Sequence, residues 1–420
     1  MIYEQLNDAQ RAAVDAILAF LASGEEYYLL QGYAGTGKTF CMQAVVEKVR
    51  GRLIFTAPTN KATKVLRDTL TSDAYKPECR TIYSLLGLRM EANGEVKEIT
   101  APEDPVDLST YRAVVVDEGS MVSAMLYNFI RQANAEFGVK FIFMGDPAQL
   151  PPVGELRSPI WGIEPKSELA NVVRNAGPIL EFCTAVRKVV DHPAPRVAMT
   201  SANDGTEGVW AIDQISFERK IIELAEQGHF SRPNHTKVIA WRNVTVDKYN
   251  RIIRSHIFDN TDKPWAAGDR IIAMAPCEGL NDETFATTDD EGTVGTVVED
   301  VHPLYPDFKI WRISATLDDN STVVFRVLHG DSLGAFAREK EVLANEARMN
   351  KRLWGKFWAF QEAFHPIRHA YAITAHRAQG STYQNAFVDW RDILLNRNRQ
   401  EAYRCLYVAA SRPKKILYLG

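Results

Sequence analysis

The chain has 420 residues, of which 46% are hydrophobic and 24% are charged. This length exceeds what one hydrophobic core usually serves, and the composition excludes extensive disorder, so we predict two or more folded domains. A formal net charge of −4 gives no sign of a globally basic nucleic-acid binder, although a locally basic channel remains compatible with it.

The cysteines and the N-terminal residues indicate which kinds of protein this chain does not resemble. The five cysteines are scattered and form no Cys-x-x-Cys pair, so neither a zinc site nor a disulfide framework is predicted. The first residues include Glu4 and Asp8 rather than a basic and apolar signal, and no apolar run approaches the roughly 18 residues of a membrane span. We predict a cytoplasmic protein without a membrane partner.

A phosphate-binding loop follows the first apolar run. Residues 27–31 predict a buried strand, and Gly-Tyr-Ala-Gly-Thr-Gly-Lys-Thr at residues 32–39 forms a complete P-loop after it. Such a loop turns backbone N–H groups toward phosphate, while its lysine and threonine reach the β- and γ-phosphates and Mg²⁺. An accidental glycine-rich turn is disfavoured because the spacing of the residues and the flanking elements both match those of a P-loop. We therefore predict ATP and Mg²⁺ as cofactors, held by Gly32, Gly35, Thr36, Gly37, Lys38 and Thr39.

Two adjacent carboxylates follow a second apolar run. Residues 113–116 predict a buried parallel strand that ends at Asp117 and Glu118. There, Asp117 would ligate Mg²⁺ and Glu118 would polarise the water that attacks the γ-phosphate. The alternative, a pair of solvated acids, is disfavoured by the P-loop in the same chain.

A third predicted strand, at residues 140–144, leads into a proline-rich segment that contains Gln149. An amide at this strand end would sense the γ-phosphate or orient the attacking water. From the residues alone, an ordinary proline-rich turn explains the segment equally well.

Further segments occur in a recognisable order. They are Asn-Asp-Ala-Gln at 7–10, Thr-Ala-Pro-Thr-Asn-Lys-Ala at 56–62, Thr-Ile-Tyr-Ser-Leu-Leu at 81–86, Leu-Ala-Asn-Val-Val-Arg at 169–174, the segment at 371–382 containing His-Arg-Ala-Gln-Gly-Ser-Thr, and Leu-Tyr-Val-Ala-Ala-Ser-Arg at 406–412. This series resembles motifs Q, Ia, Ib, IV, V and VI of superfamily 1 helicases. The Asp-Pro-x-Gln-Leu-Pro-Pro-Val form at 146–153 and the motif V form resemble the RecD/Dda branch, superfamily 1B.

The resemblance implies an α/β fold with two RecA-like P-loop domains built on parallel sheets. It places domain 1A at residues 1–80 and 105–180, a hairpin domain 1B at 81–104, domain 2A at 181–264 and 366–420, and an SH3-like β-barrel 2B at 265–365. Short β-like runs after Asp262 independently predict a small barrel in this last region.

The resemblance also implies roles for residues near the nucleotide. Gln10 would bond the adenine, Gly380 would contact the nucleotide, and Arg174 and Arg412 would stabilise charge on the transferring phosphoryl group. Without the resemblance, each arginine would be interpreted as a surface residue. With it, ATP would draw the two large domains together and hydrolysis would release them.

A single-stranded DNA track is expected across both large domains. It needs phosphate donors and flat side chains for stacking, and the predicted contacts are Pro58, Thr59, Asn60, Thr81, Tyr83, Trp241, Asn243, Thr374 and His376. A core aromatic is the alternative interpretation of Trp241. Three residues depart from the branch, namely Tyr83 in place of His, Gly119 in place of Ala and Arg377 in place of Lys.

Asn93 and Gly94 lie between alternating segments and predict a tight hairpin turn. In the family, the pin that separates the two DNA strands lies here. Met90 is the apolar residue nearest to the tip at Asn93 that could act as a wedge. A plain surface hairpin remains the alternative, because the tip lacks an aromatic residue.

The resemblance implies an ATP-dependent DNA helicase that moves 5′ to 3′ on single-stranded DNA and acts at duplex junctions. It also implies a monomer, in the host cytoplasm if phage-encoded, with a single-strand-binding protein or other replication, recombination and repair proteins as candidate partners. The main rival is a translocase that strips bound proteins with little unwinding. A nucleotide-controlled switch is disfavoured because it needs neither Glu118 nor paired arginines, and phosphate gripping alone leaves RNA open as the track.

Overall fold

A computed structural model describes residues 2–70, 76–93, 95–170, 177–190, 197–259, 262–281 and 283–420. Two six-stranded sheets, mostly parallel, form its centre, and helices pack on them. This confirms the predicted α/β class with two parallel-sheet domains. We refer to the parts built on these sheets as domain 1 and domain 2.

Domain 1 contains the P-loop. In chain order its elements are α1 (Asp8–Ala22), β1 (Tyr27–Gly32), α2 (Lys38–Lys48), β2 (Arg52–Ala57), α3 (Asn60–Leu70), β3 (Glu78–Thr81), α4 (Ile82–Leu85), β4 (Arg89–Asn93), β5 (Val96–Thr100), β6 (Tyr111–Val116), α5 (Ala124–Phe137), β7 (Lys140–Gly145) and β8 (Lys166–Leu169). Its sheet has the order β3-β2-β6-β7-β1-β8, with every pair parallel.

The central strands of domain 1 explain where the predicted site lies. β1, β6 and β7 are nearly continuous apolar runs, as expected for strands covered on both faces. Because β6, β7 and β1 are neighbours and parallel, their carboxyl ends meet at one edge of the sheet. The P-loop, the two acids and the segment with Gln149 therefore converge.

Domain 2 is split by an insertion. Its first part contains α6 (Pro178–Val190), β9 (Ala202–Asn203), β10 (Gly208–Ala211), α7 (Gln214–Glu226), β11 (Thr236–Ala240) and α8 (Asn243–Ile257). The predicted boundary at 180/181 falls inside α6, whose buried side chains belong to the core of domain 2.

The insertion, called here the inserted module, carries β12 (Arg270–Ala273), β13 (Cys277–Glu278), β14 (Thr284–Ala286), β15 (Glu291–Val301), β16 (Lys309–Leu317), β17 (Thr322–Leu328), α9 (Leu333–Met349), α10 (Trp354–Glu362) and β18 (Ile367–His369). An antiparallel sheet of order β17-β16-β15-β12-β18 forms its centre. The predicted boundary at 365/366 falls just before the last of these strands. The SH3-like assignment and the exact domain limits remain proposals.

The chain then returns to domain 2 with β19 (Ala372–Thr374), α11 (Ala375–Ala378), β20 (Tyr383–Val388), α12 (Trp390–Ile393), α13 (Arg399–Ala410) and β21 (Pro413–Leu419). The second sheet has the order β19-β11-β20-β21-β10-β9, in which only the β9 pairing is antiparallel. Within the described residues, none of the helices combines the length and apolar character that crossing a bilayer requires.

Candidate nucleotide site and DNA track

The P-loop joins β1 to α2 with a backbone that requires glycine. Gly37 has φ +85°, and a Cβ atom there would lie 2.4 Å from Nε2 of Gln10. Lys38 opens α2, and its Nζ atom donates to the carbonyl oxygens of Gly32 at 2.6 Å and Tyr33 at 3.2 Å. This narrow cradle at a helix N-terminus, with an ammonium group turned into it, fits the phosphates of ATP.

Gln10 lies beneath this loop and is only 2% exposed. Its Oε1 atom accepts from the backbone N–H of Asn7 at 3.1 Å, and its Nε2 atom donates to the carbonyl oxygen of Thr36 at 3.1 Å. The residue thus completes the capping box of α1 and ties that helix to the P-loop. Its predicted contact with adenine remains a proposal.

Asp117 and Glu118 follow β6 at the same sheet edge. The backbone N–H of Glu118 donates to Oδ1 of Asp117 at 2.8 Å. Desolvation raises the pKa of Glu118 to about 7, and Asp117 adds to the rise while Arg412 and Lys38 oppose it. Desolvation also raises the pKa of Asp117, against the charge of Lys38. The hydroxyl of Thr39 and the carboxylate of Asp117 are hard oxygen donors of the kind that Mg²⁺ prefers.

The turn after Glu118 explains one departure from the family pattern. Glu118 itself has φ +50°, and Gly119 follows it in a tight helical turn. A Cβ atom on Gly119 would lie 2.6 Å from Cδ1 of Ile160 and 2.9 Å from the carbonyl oxygen of Met144. Alanine would therefore require these neighbours to move, which accounts for glycine in this chain.

Arg412 reaches the cleft from domain 2 and is 6% exposed. Its guanidinium donates to the carbonyl oxygens of Val408 at 2.9 Å and Ser381 at 3.1 Å, and to the Ser411 hydroxyl at 2.8 Å. Its charge acts on Glu118 across the cleft, as the pKa of that carboxyl reflects. Arg174, the other predicted cation, lies outside the described residues.

The segment after β7 is held by domain 2. The Nε2 atom of Gln379 donates to Oε1 of Gln149 at 3.0 Å, and the Arg404 guanidinium donates to the Gln149 carbonyl oxygen at 2.7 Å. The Tyr407 hydroxyl donates to Oδ2 of Asp146 at 2.7 Å. Gln379, Asp146 and Tyr407 lie within the motifs named above, whereas Arg404 lies outside them, and the sequence predicted none of these contacts.

Gly380 lies at a different contact between the domains. It has φ +75°, and a Cβ atom there would lie 3.2 Å from Cβ of Ala62 in α3. The structure thus brings motif V close to motif Ia at this glycine. Its predicted nucleotide contact remains a proposal.

Three threonines predicted to bind DNA also begin helices. The Thr81 and Thr374 hydroxyls accept from the backbone N–H groups of Ser84 at 3.1 Å and Arg377 at 3.4 Å. The Thr59 hydroxyl accepts from Ala62 at 3.2 Å. Each hydroxyl keeps its proton for donation, so N-capping and a phosphate contact are compatible.

Asn60 contacts the inserted module rather than solvent alone. Its Nδ2 atom donates to Oγ1 of Thr287 at 2.7 Å. Beside it, Nζ of Lys61 donates to Oε1 of Glu291 at 2.8 Å, and Nζ of Lys237 donates to Oε2 at 2.8 Å. Although burial opposes it, Lys237 and Lys61 hold the pKa of Glu291 well below its usual range. This buried carboxylate therefore joins domain 1, domain 2 and the inserted module.

A cavity of about 890 Å³ lies at this junction. Two of the predicted DNA contacts line it, Asn60 and Thr81, together with Ser381 and Thr382 of motif V. The hydroxyl of Ser381 is buried and has no hydrogen-bond partner among the described residues. Polar groups from motifs Ia, Ib and V thus meet in one place.

The two aromatic candidates for stacking on DNA bases, Tyr83 and Trp241, are partly buried, and their contact with DNA remains a proposal. Tyr83 packs partly buried against the core of domain 1, and desolvation raises its pKa. Trp241 packs partly buried against the core of domain 2. Pro58 is also partly buried, whereas Asn243 and His376 are exposed. The Nε2 atom of His376 lies 3.7 Å from Oε1 of Glu401.

The hairpin of β4 and β5 carries both predicted pin residues. The Met90 side chain is 55% exposed, and Nδ2 of Asn93 donates to Oε2 of Glu98 at 2.8 Å. The hairpin is braced by the inserted module through ion pairs of Lys97 with Glu362 and of Glu95 with Arg348. Gly94, at the predicted tip, lies outside the described residues.

Comparisons with known proteins agree with the motifs. Residues 5–202 match a family described as AAA domain, and residues 369–419 match one described as UvrD-like helicase C-terminal domain. The ATP-dependent DNA helicase dda of Enterobacteria phage T4 is 25% identical over 461 residues, which cover 98% of each chain. An uncharacterized protein of Acanthamoeba polyphaga mimivirus is 24% identical over 500 residues, which cover 98% of this chain and 99% of that one.

Solved structures show the same fold at lower identity. A structure of two coordinating Pif1 helicases at forked double-stranded DNA has a TM-score of 0.54 and 16% identity, covering 98% of this chain and 92% of that chain. Pif1 helicase from Bacteroides, solved with ADP-AlF3 and single-stranded DNA, has a TM-score of 0.51 and 16% identity. The match covers 96% of this chain and 91% of that chain. The ordered motifs, the family matches near both ends of the chain and the similarity to dda along its length make this protein similar to the superfamily 1B helicases of the RecD/Dda branch.

Proposed function

We propose that this protein is an ATP-dependent DNA helicase that translocates 5′ to 3′ on single-stranded DNA and unwinds duplexes at junctions. One observation carries the proposal. Lys38, Asp117 and Glu118 of domain 1 lie in the same cleft as Arg412 of domain 2, whose charge acts on Glu118. Full-length similarity to an ATP-dependent DNA helicase supports the enzyme class.

The cleft assigns a part to each group in hydrolysis. Lys38 and the N-terminus of α2 would hold the phosphates, and Thr39 and Asp117 would hold Mg²⁺, which neutralises phosphate charge when bound. Glu118 would accept a proton from the attacking water as the bond to the γ-phosphate forms and the bond to the leaving ADP oxygen breaks. Arg412 would stabilise the charge that spreads over the transferring group.

Movement follows from the two-domain construction of the site. Since the catalytic acids and the arginine belong to different domains, ATP binding favours closure of the cleft and product release favours opening. Closure becomes a step along DNA if the two domains hold the strand with different strength in the two states. Asn60 and Thr81 on one side, and Thr374 and His376 on the other, are the proposed contacts.

The hairpin favours unwinding over simple translocation. Two apolar side chains, Met90 and Val96, are 55% and 56% exposed on its strands. The ion pairs with Glu362 and Arg348 brace it from the inserted module. A braced hairpin with exposed apolar groups suits separation of the two strands of a duplex.

The proposal is tested by measuring ATP hydrolysis with and without single-stranded DNA, using the wild-type protein and Lys38→Ala. We expect DNA to stimulate the wild-type rate and Lys38→Ala to abolish turnover. Arg11→Ala, which alters an exposed ion pair on α1, serves as the control. An unstimulated wild-type rate, or robust turnover by Lys38→Ala, would contradict the proposal.

A further inference from the structure

The hydroxyl of Tyr407, in domain 2, contacts Asp146 and the P-loop of domain 1. The Tyr407 hydroxyl on α13 donates to Oδ2 of Asp146 at 2.7 Å. The backbone N–H of Ala34, in the P-loop, donates to the same oxygen at 2.9 Å, and it also lies 3.3 Å from the Tyr407 oxygen. Tyr407 is 2% exposed and Asp146 is 1% exposed, so water does not compete for these bonds.

Domain 1 fixes the orientation of the acceptor. The Oδ1 atom of Asp146 accepts from the backbone N–H of Ala148 at 2.9 Å, and its backbone carbonyl accepts from Gln149 at 3.1 Å. Burial and the charge of Asp146 raise the pKa of the Tyr407 phenol, so the hydroxyl is protonated and acts as the donor. Asp146 therefore presents one oxygen to the P-loop and to α13 at the same time.

The helix that carries Tyr407 also sets the position of Arg412. α13 ends at Ala410, and Nε of Arg412 donates back to the carbonyl oxygen of Val408 at 2.9 Å. A second bond, to the carbonyl oxygen of Ser381 at 3.1 Å, fixes the guanidinium within domain 2. Because Arg412 cannot move far from α13, its distance from the P-loop depends on where α13 rests on domain 1.

We propose that Tyr407 is a positioning residue for ATP hydrolysis. Its hydrogen bond to Asp146 fixes the position of α13 relative to the P-loop, and the position of α13 in turn places Arg412 at the phosphates. The inference rests on the proposed function, since it assigns Tyr407 to that reaction. It extends the site to a residue whose hydroxyl is bonded to Asp146 and to the backbone N–H of Ala34.

A purely structural part for Tyr407 is the competing explanation, since its ring packs in the core of domain 2. The chain offers a matched control one turn earlier on α13. Tyr403 is also 2% exposed and packs in the same core. Its hydroxyl has no hydrogen bond with any described residue, so Tyr403→Phe removes a tyrosine hydroxyl from the same helix and leaves the bond between Tyr407 and Asp146 in place.

The experiment compares Tyr407→Phe, Tyr403→Phe and the wild-type protein in DNA-stimulated ATP hydrolysis. A hydrogen bond to a charged acceptor supports a loss in kcat of about 10- to 100-fold for Tyr407→Phe. The KM for ATP should change by less than about threefold, because the affected interaction is made in the transition state. Tyr403→Phe should match the wild type, and both variants should keep the wild-type Tm within a few degrees.

A second variant tests the route through Asp146. We expect Asp146→Asn to lower kcat, and Tyr407→Phe added to it to lower kcat by less than about a further threefold, because the two residues act together. Additive losses would overturn the inference, as would an unchanged kcat in Tyr407→Phe or a loss that follows the Tm. The wild-type protein is measured first. If DNA does not stimulate its hydrolysis, the proposed function fails and the inference with it, whereas an active wild type with an equally active Tyr407→Phe refutes the inference alone.

Discussion

The side-chain amide of Gln379 donates from Nε2 to Oε1 of Gln149 over 3.0 Å, and the bond joins domain 2 to domain 1. The same Nε2 atom donates to Oγ of Ser120 at 3.1 Å. Gln149 and Gln379 are 5% and 6% exposed. The amide proposed to sense the γ-phosphate is thus already bonded to motif V, which also carries proposed DNA contacts.

Because of this bond, we expect Gln379→Ala to weaken the coupling between DNA binding and ATP hydrolysis. The variant loses two buried hydrogen bonds between the domains, each worth about 1 kcal/mol, and leaves every proposed catalytic group in place. We expect the stimulation of ATP hydrolysis by saturating single-stranded DNA to fall about tenfold, with the basal rate nearly unchanged. Gln43→Ala, which removes a bond to Thr69 within domain 1, is the control. Equal stimulation in Gln379→Ala and wild type would argue against coupling through this bond.

Glu118→Gln should separate binding from hydrolysis. Glutamine keeps the size of the side chain but cannot accept the proton of the attacking water, and general-base catalysis is worth about 10²- to 10⁴-fold. We therefore expect ATP and DNA affinities near those of the wild type, with turnover reduced by that factor. Equilibrium binding and single-turnover hydrolysis measure the two effects. Glu155→Gln, whose carboxylate caps α5, should hydrolyse ATP normally. Robust turnover by Glu118→Gln would remove Glu118 from its proposed role.

The hairpin should contribute to unwinding more than to ATP hydrolysis. Shortening residues 91–95 removes its outer part and its ion pair with Arg348 while the cleft stays intact. We expect duplex unwinding to fall by more than tenfold while DNA-stimulated hydrolysis changes by less than threefold. A milder control, Arg348→Gln, breaks the ion pair and keeps the hairpin. Equal losses of unwinding and hydrolysis in the shortened variant would mean that the hairpin is structural.

We expect His365 to make the stability of the protein sensitive to acid. The residue is 2% exposed, and Nδ1 accepts from the backbone N–H of Arg326 at 3.0 Å. Desolvation, together with the charge of Arg326, lowers its pKa to about 3. Below an unfolded pKa of about 6.5, the unfolded chain takes up a proton that the folded chain does not. The free energy of unfolding should therefore fall as pH falls from about 6.5 toward 3.

The measurement is denaturant unfolding of wild type and His365→Gln at pH 7 and pH 5. Between these values His365 should cost about 2 kcal/mol of stability. Other groups that titrate in this range, such as Glu118, contribute equally to both proteins. Glutamine retains an acceptor for Arg326 but does not titrate, so its loss between the two pH values should be smaller by about that amount. Parallel losses in both proteins would show that His365 is not the cause.

The phosphate site was predictable because its chemistry lies in short, contiguous segments. Residues 27–31, 113–116 and 140–144 are apolar runs followed at once by polar groups, and the structure has strands at each of them. Parallel pairing of these strands then brings their ends together. Local order in the chain was sufficient for this part of the site.

The contacts between the domains were not predictable, because they join distant residues. Tyr407 and Asp146 are 261 positions apart, and Gln379 and Gln149 are 230 apart. Nothing in either segment specifies its partner, since a buried tyrosine or glutamine accepts many neighbours. A local signal was available for Thr81 and Thr374, however, because a threonine just before a short helix is a typical N-cap.

We propose that ATP hydrolysis at this cleft drives movement in one direction along single-stranded DNA. The most direct measurement is ATP-dependent unwinding of two partial duplexes, one with a 5′ single-stranded tail and one with a 3′ tail. We expect the wild-type protein to unwind the 5′-tailed duplex alone, and Lys38→Ala to unwind neither. Unwinding that prefers the 3′ tail would contradict the proposed polarity, and DNA-stimulated hydrolysis with neither duplex opened would favour a translocase that displaces bound proteins.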